Sequence, residues 1–362
     1  MTEKTVPPPF FQGVEVDTLM AMPYLKDAAA QGVGKACYRV ADLYDFGRGG
    51  IQANGDSAVY YYIKGYQAGD ADCAYKVGVL LLAEGNAEMA MQCLGAATKG
   101  GNPDGAYTYA YCLQQGIGVK EAQPKAAYRI WEQVVARYNQ PESYYQLGIA
   151  SIQGNGCPED ENLGKAYLDT SANLGDKDAM YSLGVCYLNG IGCNTDTTIA
   201  ISWLEKCADN ENINAINMLG DVYQAQGDFK NSVLYYEKGI AAGNLTSYVK
   251  MGQCYEEGLG VVLNSPKAFE LYKYAADHNS VMGYRAVAHC YMEGIGVEPN
   301  GVEAINWLLH AVEAGDVNSM YYIGNIYENG ATGVPADAKK AQEWYARAAK
   351  SMSGAPVSKR KK

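Results

Sequence analysis

The sequence predicts an all-α fold, a right-handed α–α superhelix of about nine tandem helix pairs. Three observations predict it. A small residue recurs every 32 to 38 residues, and apolar residues around each copy follow the spacing of one helical face. Glycine then follows most copies at a fixed distance, where a helix would end. Because such repeats pack only on their neighbours, 362 residues need not divide into separate compact domains.

The recurring small residue, called the anchor below, lies in the first helix of each pair. The residue five places before it is always small, and the residue immediately before it is always apolar. Tyr stands three places after the anchor in six repeats, and Gly stands six places after it in seven. That Gly predicts the left-handed residue that ends a helix. The anchors are Ala41, Gly78, Ala110, Gly148, Gly184, Gly220, Gly252, Ala288 and Gly324.

A second amphipathic stretch follows each loop and begins at another small residue. In seven repeats this residue is assigned as Ala58, Ala127, Ala166, Ala200, Ala268, Ala304 or Ala341. Trp203, Trp307 and Trp344 lie three places further on, where other repeats have Tyr or Leu, so these rings are predicted to pack in the core rather than to form a ligand cage. The repeats anchored at Gly78 and Gly220 lack the glycine-rich loop and are predicted to have short turns instead.

The ends of the chain differ in composition from the repeats. We expect a flexible N-terminal segment at residues 1–15, a capping half repeat at 16–34, the solenoid at 35–352 and a basic flexible tail at 353–362. No apolar stretch is long enough to cross a membrane, and the N-terminus lacks the apolar run of an export signal. The prediction is a cytoplasmic protein without membrane insertion, with nuclear import by the basic tail as an alternative.

The segment from Ala179 to Gly192, AMYSLGVCYLNGIG, resembles the Sel-one-like repeat (SLR) family, a longer-looped relative of the tetratricopeptide repeat (TPR). The resemblance extends over roughly residues 35 to 350. It implies a helical solenoid, and members of the family commonly assemble signalling, protein-quality-control or cell-envelope complexes. The resemblance therefore implies a scaffold or adaptor.

Ten cysteines raise the question of disulfide bonds or a metal site. One branch of the family that the chain resembles is secreted and bridged within each repeat. Here, however, Cys112, Cys186, Cys254 and Cys290 all lie two places after an anchor, where other repeats have apolar residues. With no CxxC motif and no close Cys/His cluster, the sequence predicts reduced, buried thiols and no metal site.

Motifs that suggest catalysis are isolated. Ser247 and Lys250 match the S-x-x-K pattern of penicillin-binding enzymes, but Ser247 occupies a small repeat position and no S-D-N or K-T-G follows. His289 and Cys290 are neighbours on one helix and point about 100° apart, so they cannot form a dyad. We therefore expect no enzymatic activity, no cofactor and no small-molecule substrate.

The net charge of −11 argues against nucleic-acid partners, because these require a basic surface. By analogy with TPR proteins, first helices line a concave groove, and positions two before, one after and five after the anchor face it. Their side chains vary between repeats, as expected of a surface that binds proteins or peptides. The predicted groove residues are Arg39, Asp42, Lys76, Tyr111, Gln115, Gln146, Gln153, Asp221, Lys250, Gln253, Glu257, His289, Glu293, Tyr322 and Asn325.

Charge changes along this set, from Arg39 and Lys76 in the early repeats to Glu257 and Glu293 in the late ones. Basic segments of a partner are therefore predicted to prefer the C-terminal half. The leading hypothesis is a non-catalytic interaction scaffold. A structural subunit of a larger stable assembly and a secreted effector of the same repeat class remain alternatives, as does a solvated groove without a dedicated partner.

Overall fold

A computed structural model describes residues 18–209 and 212–352. The predicted N-terminal segment 1–15 and the basic tail 353–362 lie outside these residues. Within them the chain forms 19 α-helices joined by short connections. The helices are α1 (Thr18–Ala30), α2 (Gly34–Phe46), α3 (Gly55–Gln67), α4 (Ala71–Ala83), α5 (Ala87–Lys99), α6 (Pro103–Gln115), α7 (Pro124–Tyr138), α8 (Pro141–Gln153), α9 (Glu161–Asn173), α10 (Lys177–Asn189), α11 (Thr197–Ala208), α12 (Ile213–Ala225), α13 (Phe229–Ala241), α14 (Leu245–Glu257), α15 (Ser265–Asp277), α16 (Val281–Glu293), α17 (Gly301–Glu313), α18 (Val317–Asn329) and α19 (Ala338–Met352).

The helices divide between two compact units, Met1–Asp196 and Thr197–Lys362. In the first unit α1 is followed by four packed pairs, from α2 with α3 to α8 with α9, and then by α10. In the second, α11 is followed by four packed pairs, from α12 with α13 to α18 with α19. All nine predicted anchors lie in the even-numbered helices α2 to α18, the first helices of their repeats. The predicted all-α class of paired helical repeats is confirmed.

Polar side chains start most first helices at the same place in the repeat. Asp70, Asp176 and Asn244 each accept a hydrogen bond from the backbone N–H three residues later, which is the N-cap arrangement. That third residue is always the small residue five places before the anchor. In the second unit one such residue, Ser247, packs against Gly239 near the end of the preceding helix. The small position thus joins the capping of one repeat to its packing on the previous repeat.

Glycines end the first helices as predicted. Six of the seven Gly residues six places after the anchor adopt the left-handed conformation. The seventh, Gly330, also has a positive φ, 76°, but its ψ of 164° lies outside the left-handed region. In five repeats other than the first one in the chain, a second loop glycine follows two places after the helix-ending glycine. It lies against the start of the second helix of the preceding repeat. At Gly192 an added Cβ would overlap the carbonyl oxygen of Glu161, and at Gly296 that of Ser265. In the first repeat Gly49 packs against the side chain of Thr18 at the start of α1, so α1 occupies the place that a second helix has elsewhere.

Two repeats have short turns, as predicted. Helix α4 ends at Ala83 and α5 begins at Ala87, and the same three-residue link joins α12 to α13. The assignment of Ala166 was wrong: it is exposed, and Gly164 is the buried small residue of α9, with the side chain of Ile152 against it. Gly164 lies 16 residues after its anchor, the spacing that Ala200, Ala268 and Ala304 also have.

The tryptophans divide into two groups. Trp131, in the first unit, is fully buried in the core cluster of α6 and α7. Trp203, Trp307 and Trp344 are only half-buried, and the cation of Lys206, Lys273 or Arg347 lies 4.0 to 4.9 Å from the ring centroid. These three rings therefore pack on the core with one face and hold a basic side chain at the surface with the other.

The cysteine side chains lie mostly inside the helix pairs. Eight of the ten are buried, and Cys157 and Cys193 are half-buried in loops. Burial raises the pKa of Cys186 and of Cys254 to about 11 and that of Cys290 to about 12. Because the thiolate is the reactive form, these buried thiols are poor nucleophiles near neutral pH.

This burial predicts a two-phase reaction with a thiol reagent. In the native protein at pH 8, Cys157 and Cys193 are expected to react first and the eight buried cysteines much more slowly, while all ten react after unfolding. Counting released chromophore with an Ellman-type reagent measures both numbers. Fewer than ten reactive thiols in the unfolded, unreduced protein would show disulfide bonds and would support the secreted alternative.

Candidate partner-binding face

First helices of successive repeats pack directly on one another inside each unit. Helix α4 contacts both α2 and α6 in the first unit, and α14 contacts α16 in the second. Each unit therefore has a face formed by adjacent first helices, and second helices form the layer beneath it. None of the fifteen predicted groove residues is buried. They lie on this face, as the spacing of the three groove positions requires.

Several of these side chains already have a partner on the protein. Lys250 donates to Asp221 at 2.8 Å, so two predicted groove charges neutralise each other across neighbouring repeats. In the first unit Lys76 lies 5.6 Å from the ring centroid of Phe46, and Gln146 donates to the hydroxyl of Tyr107 at 3.4 Å. These residues have less capacity for an external partner than their exposure suggests.

The late acidic residues differ in this respect. Glu257 and Glu293 are exposed, and neither has an ion pair or side-chain hydrogen bond within the described parts of the chain. His289 lies on the same first helix as Glu293, and its Nε2 is 3.8 Å from the Glu256 carboxylate. The predicted acidic character of this face is therefore carried by two carboxylates that have no counter-charge among residues 18–209 and 212–352.

A large second-helix side chain lies beneath the anchor in the eight repeats whose two helices belong to one unit, and sequence reasoning did not assign it to the site. We call it the floor residue. In seven of these repeats the floor residue is buried, and in the last it is half-buried. The floor residues are Tyr62, Leu94, Trp131, Leu168, Tyr236, Tyr272, Leu308 and Tyr345.

We call the residue four places after the anchor the rim residue. Its polarity follows the type of floor residue. Where the floor is Tyr, its hydroxyl donates to the rim side chain, as Tyr272 does to Glu256 at 2.6 Å and Tyr345 to Glu328 at 2.7 Å. Where the floor is Leu, the rim is always apolar. The third repeat, with Trp and Gln, is the exception. The rim residues are Asp45, Leu82, Gln114, Ile152, Leu188, Gln224, Glu256, Met292 and Glu328.

A cavity of about 390 Å³ opens on the face between α16 and α18. Four of the predicted groove residues border it. Its apolar base, absent from the predicted groove, comprises Ala288, Met292, Leu308 and Ile326. The four predicted residues at its edge are His289, Glu293, Tyr322 and Asn325. The matching of floor and rim types along the sequence is a signal that could have identified Leu308 and Met292.

The residues that resembled catalytic motifs are structural or separated. Ser247 is fully buried, and its hydroxyl donates to Asn217, while Lys250 is held by Asp221. Cys290 is fully buried whereas the neighbouring His289 is exposed. Within the described residues no helix is long and apolar enough to cross a membrane.

Comparison with known proteins agrees with this geometry. The sequence model of the Sel1 repeat matches the chain seven times, over about two thirds of its length. The matched residues are 34–70, 103–133, 141–176, 177–212, 246–280, 281–316 and 317–351. Two of the unmatched stretches contain α4 with α5, and α12 with α13, the two repeats with short turns. No curated protein sequence matches the chain.

Solved structures resemble the chain in fold. A protective antigen of uropathogenic Escherichia coli that displays an SLR fold has a TM-score of 0.61 at 21% identity, covering 91% of this chain and 64% of that one. The chain thus spans less than two thirds of that antigen. A Sel1 repeat protein from Oxalobacter formigenes has a TM-score of 0.61 at 20% identity, covering 84% and 90%.

A third structure represents the related TPR class. It is a signal transduction ATPase with numerous domains from Pyrococcus horikoshii that carries a tetratricopeptide repeat sensor. Its TM-score is 0.57 at 13% identity, and the match covers 88% of this chain and 52% of that one. At these identities the structures establish a shared fold. Since the repeat model matches most of its length in register with its helix pairs, the chain belongs to the Sel1 repeat family.

Proposed function

We propose that the protein is a non-catalytic scaffold or adaptor that binds partner proteins through the face of its first helices, and that the second unit binds basic segments. Sel1 and TPR-like repeat folds generally serve protein–protein interaction. The observation that carries the proposal is the pair of exposed carboxylates, Glu257 and Glu293, on adjacent first helices beside an apolar cavity. An apolar centre with a charged rim is the usual composition of a protein interface.

Charge complementarity supports a basic partner. Lys250 is neutralised by Asp221, and Arg285 lies 3.8 Å from Asp316, so the cations of this face already have acidic neighbours. Among the residues that the structure describes, no cation forms an ion pair with Glu257 or Glu293. A lysine or arginine of a partner would supply the missing counter-charge, and such a complementary charge increases both association rate and selectivity. A cytoplasmic location is part of the proposal, since the thiols are predicted to be reduced.

The test is reversal of both free carboxylates, Glu257→Lys and Glu293→Lys, followed by quantitative mass spectrometry of proteins that co-purify from native lysate. Each lost ion pair and new repulsion is expected to weaken binding by about 1 kcal/mol, so recovery of specific partners should fall roughly 5- to 30-fold. The loss should shrink at high salt, because exposed charges are screened.

The matched control reverses Glu298 and Glu313, two exposed carboxylates of the same unit outside the first helices. This variant has the same net charge as the first and should recover the wild-type set of partners. Equal recovery by wild type and the Glu257/Glu293 variant would contradict a role for this face. A similar loss with both variants would show a general charge effect instead.

A further inference from the structure

Two repeats with polar floors flank one with an apolar floor in the second unit. In the repeat anchored at Gly252, the ring of Tyr272 fills the space beneath the anchor and its hydroxyl reaches Glu256. In the repeat anchored at Gly324, Tyr345 and Glu328 make the same arrangement. The repeat between them has Leu308 and Met292 at these two positions, and the cavity of about 390 Å³ lies there.

We propose that the cavity above Leu308 is a recognition pocket for one apolar side chain of an extended partner segment, with a basic residue about three positions away. The proposal rests on the proposed function and specifies its ligand. Three base residues, Ala288, Leu308 and Ile326, are 2 to 4% exposed and present carbon to the cavity. No buried carboxylate or hydroxyl points from this base, so a polar side chain would lose its hydrogen bonds with water there.

The edge of the cavity is suited to a main chain, and it carries both signs of charge: Glu293, and Arg285, whose guanidinium lies 3.8 Å from the Asp316 carboxylate. Tyr322 is 54% exposed and stands at the edge, where its ring can cover an inserted side chain. The side-chain amide of Asn325 makes no hydrogen bond within the described residues, and an amide can both donate to and accept from a peptide group. Glu293, also at the edge, and Glu257 on the neighbouring first helix attract cations.

The spacing of the apolar and basic residues follows from the repeat. Packed helices are about 8 to 10 Å apart, and an extended chain advances about 3.3 Å per residue. A segment that crosses from α16 to α14 therefore needs about three residues. The structure thus defines a short pattern, an apolar residue and a Lys or Arg roughly three positions apart, rather than basic charge alone.

The pocket proposal can be tested by exchanging the anchor, rim and floor residues between two neighbouring repeats. A closed-floor variant carries Ala288→Gly, Met292→Glu and Leu308→Tyr, which gives the cavity repeat the three side chains of its neighbour. An open-floor variant carries Gly252→Ala, Glu256→Met and Tyr272→Leu, which does the reverse. Each set of three side chains already occurs in a folded repeat of this chain, and circular dichroism with thermal unfolding checks that both variants fold.

The probe is a displayed library of random twelve-residue peptides, selected against the full chain of each variant and sequenced. Wild type should enrich peptides with an apolar residue roughly three positions from Lys or Arg. The closed-floor variant should bind these peptides about tenfold or more weakly, since the side chain loses its apolar site, while selection for basic residues persists. The open-floor variant should add a second preferred apolar position about three residues from the first.

The outcomes separate this proposal from the one on which it rests. If no peptide is enriched by wild type, the proposed binding function itself is contradicted. If basic peptides are enriched without an apolar preference, or if the closed-floor variant retains that preference, the pocket proposal is overturned and the binding function stands. Light scattering would also overturn the pocket proposal if the wild type were a dimer and the closed-floor variant a monomer. The cavity would then bind a second copy of the chain.

Discussion

Replacing Gly296 by alanine is expected to destabilise the second unit by about 3 to 5 kcal/mol, the largest effect predicted for a single substitution here. Gly296 has a φ of 68°, which costs a non-glycine residue about 1 to 2 kcal/mol. The new Cβ would also overlap the carbonyl oxygen of Ser265 and approach Pro266, both at the start of α15. Because both contacts are with backbone, they cannot be relieved by a change of side-chain rotamer.

The control for this prediction is Gly243→Ala. Gly243 lies in the same unit and has a φ of 76°, but nothing lies within 4 Å of where its Cβ would be. Alanine at this position therefore has the backbone cost of a positive φ but no overlap of its Cβ with other atoms. The free energy of unfolding should fall by only about 1 kcal/mol. Denaturant unfolding followed by circular dichroism measures both. If Gly296→Ala and Gly243→Ala lower the free energy of unfolding equally, the contact between the loop and α15 adds nothing to stability.

Replacing Gly252 by alanine is expected to cost about 2 kcal/mol, although alanine is the better helix former by about 1 kcal/mol. The added methyl would overlap the ring of Tyr272, which is 2% exposed and cannot move aside. In the next repeat Leu308 lies beneath Ala288, so an alanine anchor is compatible with a leucine floor. The combination Gly252→Ala with Tyr272→Leu should thus be more stable than Gly252→Ala alone.

A double-mutant cycle of these two substitutions measures the coupling between anchor and floor. We expect the double variant to be about 1 to 2 kcal/mol more stable than the sum of the single losses predicts. Tyr272→Leu alone removes the hydrogen bond to Glu256 and leaves unfilled space, so it should also destabilise the unit. Additive losses within about 0.5 kcal/mol would contradict the idea that the two positions are matched.

Most of the fold could be predicted from the sequence because the same pattern of residues occurs in nine repeats. A small anchor, a helix-ending glycine and a second amphipathic stretch recur often enough that chance variation at one position does not hide the pattern. The error at Ala166 shows the limit of this reading. Two small residues, Gly164 and Ala166, lie within one helical turn, and only the packing of Ile152 identifies which of them is buried.

The groove positions were predictable as exposed first-helix residues, but the sequence did not predict which of their charged side chains form ion pairs. The sequence alone does not show that Asp221 and Lys250 pair, whereas Glu257 and Glu293 form no ion pair within the described part of the chain. These pairings depend on side chains from two repeats approaching to within a few ångströms, which spacing along one helix does not specify. Sequence reasoning therefore assigned similar weight to charges that differ in what they can bind.

The sequence by itself determined the helix pairs, their boundaries and the residues that can face a partner, because local periodicity and helix termination depend on neighbouring residues. The tertiary structure decided which of those residues border a cavity, because that depends on Leu308 from one helix, Met292 from a second and Ile326 from a third. The loop glycines follow the same division. Their helix-ending role is local, whereas the contact of Gly296 with Ser265 exists only when consecutive repeats pack.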